Sequence, residues 1–382
     1  MSHPTQSQVP IKLGHKLPPR SRERLEKAGV DINDYPHWPQ KPSDVKLAAA
    51  VRAAPRKHVD PGTRADPEKK ALFGAAKEVI DLTKHVGTEI VGLQLAQLND
   101  KQRDELALLI AERTVVFFRD QDITPQQQLE LGAYYGEPEI HPSAPQVPGS
   151  PGVSIIWAEL SGEENFAKLS SRNPFGTQDW HTDLTHEKQP PGVTHLHNDT
   201  IPTVGGDTYW ASGYGAYDHL SPTFRKLIEN LEGVYLSAHK YPNPEDPTGP
   251  RVHIETVHPL VRTHPATGWK SLFVNRKFTA RIKGLEPAES QLILNHLFDV
   301  YEKSLDIQVR FKWTPGTSAL WDNRVSIHAA VFDYEGKEPR HGTRVSSLAE
   351  VPYFDPKSPS RREALGLDRP EDFVFDRKEA AY

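Results

Sequence analysis

Trp180-His181-Thr182-Asp183, taken together with Trp321-Asp322-Asn323-Arg324-Val325-Ser326-Ile327-His328, decides how the chain is read. His181 and Asp183 stand two apart, so on one extended strand both side chains leave the same face and reach one ion. His328 must then come from a different strand of the same layer. Two histidines and one carboxylate on one face of an octahedron leave the opposite positions open, which points to non-haem Fe(II) and oxygen chemistry. A structural zinc site is closed by four ligands, usually including cysteine, and this chain has no cysteine. In a chain with 18 histidines, His-x-Asp alone also fits a solvated or structural histidine, so the flanking residues must separate the readings.

Gly205-Gly206-Asp207-Thr208-Tyr209-Trp210 reads as a tight glycine turn entering an aromatic strand shortly after the first motif. Downstream of His328, Arg340 and Arg344 open an alternating strand through Val345 to Leu348, and their even spacing puts both guanidinium groups on one face. Such a fork suits a planar carboxylate or a sulfonate, because it donates paired, charged hydrogen bonds. Two surface arginines in a charged loop are the plainer alternative.

Motifs along the chain resemble the taurine dioxygenase family of Fe(II)- and 2-oxoglutarate-dependent dioxygenases, including its fungal-type alkyl sulfonate members. The resemblance runs from Val115-Val116-Phe117-Phe118-Arg119-Asp120-Gln121-Asp122-Ile123-Thr124-Pro125 through Gly136-Glu137-Pro138-Glu139-Ile140-His141-Pro142 to the His181 motif. It continues through Gly205-Gly206-Asp207-Thr208, His258-Pro259-Leu260-Val261-Arg262-Thr263-His264-Pro265, Leu272-Phe273-Val274-Asn275 and Trp321-Asp322-Asn323-Arg324-Val325. By that resemblance His181, Asp183 and His328 hold Fe(II), and Thr208 and Arg340 hold the distal carboxylate of 2-oxoglutarate, with O2 as the second cosubstrate. His141 and Arg344, with the backbone N–H of Leu184, then hold the sulfonate of a substrate. Two positions depart from the family pattern. Ala144 stands where the taurine enzyme has Tyr, three residues after the sulfonate-binding His, and Thr177 stands where it has Asn, four residues before the first iron ligand. The anion clamp is kept and the rest of the substrate pocket is changed, which argues against taurine itself.

Composition sets wider bounds. The chain has 382 residues and a formal net charge of −5, with no basic tract clear of acidic neighbours, so nucleic acid is not expected as a partner. The first ten residues lack the charged start and apolar run of a secretory signal, and no apolar run is long enough for a bilayer. The cytoplasm is the default expectation. Residues 1–74 are rich in Pro, Lys, Arg and Asp and read as an arm, partly disordered or packed on the surface. Tyr35 and Trp38 would pin that arm down or contribute to a subunit contact in a homo-oligomer.

Residues 75–382 read as the dioxygenase domain. Asp100 to Arg113 forms an amphipathic helix feeding an apolar strand, Thr114 to Phe118. Thr124 caps a second helix, with Pro125 first, Gln127 completing a capping box and Gly136 after its end. Ser221-Pro222 opens a third helix that Gly233 closes, and Glu286 to Tyr301 makes a fourth. Short β segments between them suit a mainly β architecture with flanking helices, a double-stranded β-helix (jelly roll, cupin-like), which is also the family fold. His195 and His197 alternate on one of these strands and are read as structural. His186 and Glu187 are candidates to orient a ligand, His258 and His264 shape a loop, and Trp180 is the tryptophan expected to line the pocket.

The expected activity is hydroxylation of a small anionic organic substrate, an alkyl sulfonate first, coupled to conversion of 2-oxoglutarate to succinate. Sulfate esters, aryloxyacetates and other carboxylates or phosphonates are alternatives within the same chemistry. A zinc hydrolase and a non-catalytic jelly-roll binding protein are alternatives of other classes.

Overall fold

Phe117 lies flat on Phe311, with ring centroids 3.7 Å apart and planes within 4°, and this pair joins the two sheets that form the body of the protein. The computed structural model describes residues 16–35, 45–53, 56–142, 144–157, 180–238, 240–241, 246, 249–334 and 338–367. A large sheet takes β1 (Glu78–Asp81), β2 (Thr88–Val91), β3 (Val115–Phe118), β4 (Glu137–Pro138), β5 (Gln146–Val147), β6 (Ser150–Trp157) and β7 (Pro191–Thr200). The chain crosses to β8 (Thr208–Ser212), then forms β9 (Glu232–Leu236), β10 (Glu255–Pro259), β11 (Val261–Thr263), β12 (Lys270–Leu272) and β13 (Thr279–Ile282) in two small sheets. β14 (Gln308–Phe311) and β16 (Ser326–Ala330) flank β8 in the second sheet, while β15 (Thr317–Asp322) and β17 (His341–Leu348) return to the first.

The large sheet runs β1-β2-β3-β15-β7-β17-β6-β5, with β4 also on β17, and the facing sheet runs β14-β8-β16. A chain that passes back and forth between two facing sheets makes a double-stranded β-helix. Val115 and Phe117 point inward with Leu196, Trp210, Phe311, Trp313 and Trp321. Val116 and Phe118, one residue out of phase, point outward against Leu106, Leu109 and Ile110. Alternation on β3 therefore serves two cores at once.

The described helices are α1 (Pro19–Lys27), α2 (Val45–Ala53), α3 (Lys70–Ala75), α4 (Asp100–Arg113), α5 (Pro125–Tyr135), α6 (Gly213–Asp218), α7 (Pro222–Ile228), α8 (Pro287–Lys303) and α9 (Arg361–Ala364). α4 and α5 cover the outside of the large sheet, and α8 covers the outside of the second. α5 carries the capping box of Thr124 with Gln127. α7 is shorter than expected. It ends at Ile228, and Gly233 lies inside β9. A Cβ on Gly233 would stand 2.8 Å from a Leu260 methyl and 3.0 Å from the Tyr235 ring, so the glycine serves close packing rather than helix termination. Gly205 and Gly206 take φ of 83° and 73°, and the Gly206 N–H donates to Asp333 at 2.8 Å, forming the turn into β8.

The described N-terminal residues pack on the body of the protein. Leu25, Val30 and Tyr35 are buried against Val153, Ile155, Trp157 and Val345 on the outer face of the large sheet. Arg24 donates to Asp199 at 3.1 Å, to the Thr343 hydroxyl at 3.0 Å and to the Ile123 carbonyl at 2.8 Å. Asp60, itself buried, meets buried Arg324 at 2.5 Å. Contacts of the described residues thus cross the compositional change near residue 75. Trp38 lies outside the described residues. Among the described residues no helix is long and apolar enough to cross a membrane.

Candidate active site

His328 sits in β16 opposite Trp210, and Ala330 sits opposite Thr208, so His328, Trp210 and Thr208 share the inward face. His181 joins that edge through a single antiparallel bridge: its N–H donates to the His328 carbonyl at 3.0 Å, and the His328 N–H returns the bond at 2.8 Å. The expected regular strand from His181 to Asp183 does not form. Pairing stops after His181, and the backbone turns through Asp183 to His186, with Leu184 at φ 49°. Asp183 reaches the same point as His181 because this turn brings it back. Asn323 holds the turn: its Oδ1 accepts from the Asp183 N–H at 3.2 Å, while its Nδ2 donates to the Gly192 carbonyl at 2.9 Å and the Thr194 hydroxyl at 2.8 Å. Asn323 therefore does more than the turn-forming role its sequence position implies.

The three side chains converge. His181 Nε2 lies 3.7 Å and His328 Nε2 4.0 Å from Asp183 Oδ1. One ion about 2.1 Å from each atom would span such separations, so the donor set fits a divalent metal. Among the described residues, this is the group of His, Asp and Glu side chains whose ligand atoms lie within 4.8 Å of one another. Burial lowers the His328 imidazole to about 3, with His181 adding to the effect, so it is the neutral form that presents its lone pair. Burial alone would raise the Asp183 carboxyl; Arg344, His328 and His181 instead hold it well below the usual carboxylate range. His328 thus presents a neutral ring and Asp183 an anion.

Arg344 is the nearest cation. On β17 it pairs with inward-facing Leu196, and its Nη1 lies 3.2 Å from Asp183 Oδ1. Arg340 is buried just before β17, while Thr208 begins β8 on the opposing wall, where its hydroxyl accepts from Trp313 Nε1 at 3.0 Å. His141 lies in the loop after β4. Its Nδ1 accepts from the Ala144 N–H at 2.9 Å, which leaves the proton of a neutral ring on Nε2, and that atom is 3.5 Å from the Tyr241 hydroxyl. Thr177 lies outside the described residues.

Several neighbours carry no sequence signal of their own. Tyr241 faces His141 and His186 with centroids 5.6 and 5.5 Å away, and Phe278 faces His181 and His186 at 6.2 and 5.1 Å. Arg52 of α2 donates to Glu187 at 2.8 Å and to the Ile140 carbonyl at 2.9 Å, and it also bonds Glu139. Burial raises the Glu139 carboxyl to about 7 against the opposing pull of Arg52 and Arg344.

Other histidines have structural partners. His195 and His197 lie on the outward face of β7, each 3.0 Å from the Ser318 hydroxyl, and burial lowers His195 to about 3. His258 contacts the Glu187 carbonyl at 2.9 Å, and His264 contacts Asp322 at 2.9 Å. Trp180 does not line the interior. One residue out of phase with His181, it packs outward with Ile327 and Ala329 and meets Tyr209 edge-on at 6.0 Å.

Two histidines and a carboxylate gathered at the mouth of a double-stranded β-helix define an Fe(II)- and 2-oxoglutarate-dependent dioxygenase, which uses O2 as its second cosubstrate. The chain belongs to the taurine catabolism dioxygenase TauD, TfdA family, whose profile matches residues 78–346. It is 37% identical over 309 residues to an alpha-ketoglutarate-dependent sulfonate dioxygenase of Saccharomyces cerevisiae, covering 78% of this chain and 74% of the relative. An alpha-ketoglutarate-dependent sulfate ester dioxygenase of Pseudomonas putida is 33% identical over 303 residues, covering 74% and 94% respectively. The crystal structure of a taurine dioxygenase from Burkholderia xenovorans superposes with a TM-score of 0.61 at 33% identity, covering 74% of this chain and 93% of that one.

Proposed function

We propose that the chain oxidises an alkyl sulfonate at the carbon beside sulfur, releasing sulfite and an aldehyde. The observation that carries this reading is Arg344, whose guanidinium stands 3.2 Å from the carboxylate of Asp183 at the mouth of the barrel. Bound iron supplies O2 activation, coupled to oxidative decarboxylation of 2-oxoglutarate to succinate and CO2. His181, Asp183 and His328 hold the iron in this reading, and Arg340 with Thr208 takes the distal carboxylate of 2-oxoglutarate. Arg344, the Nε2–H of His141 and the backbone N–H of Leu184 take the substrate's anionic end.

Anchoring the anion fixes which carbon lies within reach of the oxidant. One oxygen atom enters the C–H bond beside sulfur, and the resulting α-hydroxysulfonate loses sulfite as its hydroxyl proton leaves and the carbonyl forms. Ala144 stands where the taurine enzyme carries Tyr, so the part of the pocket that meets the rest of the substrate differs, and a sulfonate other than taurine is expected. The sulfonate dioxygenase of S. cerevisiae supports the choice of a sulfonate, while the sulfate ester dioxygenase of P. putida supports the runner-up, an alkyl sulfate ester oxidised at its α-carbon.

A panel of alkyl sulfonates, alkyl sulfates and aryloxyacetates, assayed for substrate-stimulated succinate with sulfite and sulfate measured separately, tests the reading. Sulfite from sulfonates is the expected result. Sulfate from sulfate esters alone would move the assignment to the runner-up, and stimulation by aryloxyacetates alone would overturn both.

A further inference from the structure

Four charged side chains crowd the substrate side of the metal cluster, and one of them comes from the N-terminal segment. Glu139 precedes His141 by two residues, and Glu187 closes the turn that begins at Asp183. Both carboxylates are nearly buried, with side-chain exposures of 3% and 10%. Arg52 sits between them, 16% exposed, with its Nε on Glu187 at 2.8 Å and its Nη2 on Glu139. Its Nη1 donates to the Ile140 carbonyl at 2.9 Å, so one guanidinium fastens α2, the His141 loop and the Asp183 turn. Ala48 and Val51 of α2 pack on Ile140 and hold the helix in place.

We propose that Arg52 is a positioning residue for the anionic substrate: by neutralising Glu139 and Glu187 it keeps Arg344 available to the substrate, and by bonding both it sets the position of His141. The inference rests on the reading of Arg344 and His141 as the anion clamp. Without Arg52, the two buried carboxylates would be left near Arg344, the next positive charge acting on Glu139 among the described residues. Glu139, already raised to about 7 with Arg52 in place, would take up a proton, and the Glu187 carboxylate, left without its partner, would draw Arg344 toward itself and oppose an incoming anion. A lysine at position 52 would supply the charge but not the fork that joins three elements.

The test is calorimetric titration of 1-hexanesulfonate into the full-length protein loaded with Mn(II) and N-oxalylglycine, where no turnover occurs. Arg52→Gln should raise the Kd for hexanesulfonate on the order of tenfold, and Arg52→Lys should fall between it and the wild type. The triple variant Arg52→Gln, Glu139→Gln, Glu187→Gln should bind within about threefold of wild type, because it removes the offending carboxylates together with their partner. Affinity for N-oxalylglycine should stay within about twofold throughout, which a general loosening of the fold would not allow. Wild-type hexanesulfonate affinity in Arg52→Gln, or no recovery in the triple variant, overturns the proposal. If Arg52→Gln does not fold, the triple variant decides it alone: recovery supports, loss overturns. If wild type binds no hexanesulfonate, the sulfonate reading fails by itself, and the variants are compared on whichever of hexyl sulfate and phenoxyacetate binds. Failure of all three anions on wild type overturns both.

Discussion

His181, Asp183 and His328 at the barrel mouth and Arg24, Arg52 and Asp60 in the N-terminal segment are two sets of buried or half-buried polar residues with opposite design. In the first, the imidazole nitrogens of His181 and His328 stand 3.7 and 4.0 Å from the Asp183 carboxylate, spaced for an ion between them. In the second, each residue meets opposite charge directly: Arg24 reaches Asp199 at 3.1 Å, Arg52 reaches Glu187 at 2.8 Å and Asp60 reaches Arg324 at 2.5 Å. Three potential ligand atoms that converge on one point mark a metal site, even though Asp183 also meets Arg344 at 3.2 Å. The pairs of opposite charge in the second set tie the described N-terminal residues to the body of the protein.

The comparison breaks most sharply at Asp183. Asp183→Ala removes one ligand atom from the cluster and should abolish both Mn(II) binding and 2-oxoglutarate turnover, measured by titration and by succinate, while the thermal midpoint shifts little. Retained metal binding would mean that the cluster is not the site. Arg324→Met should do the reverse. It strands Asp60, Asp322 and Glu350 around an apolar side chain and should cost about 3–5 kcal/mol in urea unfolding, with the metal affinity of the folded fraction kept.

The same cluster gives a pH signature. Burial would raise the Glu350 carboxyl, but Arg324 and Arg262 lower it from 4.5 to about 2. A carboxyl lowered in the folded state contributes stability that is fully present above its unfolded pKa, so about 3 kcal/mol should be lost as pH falls from about 4.5 to about 2. Glu350→Gln should flatten that part of the stability curve, and an unchanged slope would rule out Glu350 as its source. The smallest effect is expected at Tyr241. Its hydroxyl is 3.5 Å from His141 Nε2, at the edge of hydrogen-bonding distance, so Tyr241→Phe should change the KM for substrate by less than about threefold. A larger change would make Tyr241 a substrate ligand.

Local signals carried much of the fold into the sequence. The capping box at Thr124 and the apolar spacing from Asp100 to Arg113 mark helices whose observed bounds agree closely. The candidate metal residues were legible because their types and spacing are distinctive, although the strand invoked to join His181 and Asp183 is a bridge followed by a turn. What stayed hidden was long-range pairing. Arg52 and Asp60 read as ordinary charges in a Pro-rich stretch, since nothing near them in the chain shows that Glu187 or Arg324 will meet them. Gly233 reads as a cap because a glycine after a helix resembles one, whereas the Tyr235 ring and Leu260 demand it inside β9. Trp180 faces outward because it stands one residue out of phase with inward-facing His181.

The most direct test of the account is the stoichiometry of a reaction with Fe(II), 2-oxoglutarate, O2 and an alkyl sulfonate such as 1-hexanesulfonate. One succinate and one sulfite should form for each sulfonate consumed, with neither product in Asp183→Ala. Sulfonate breakdown that proceeds without 2-oxoglutarate, or succinate formation that no anion in the panel stimulates, would contradict it.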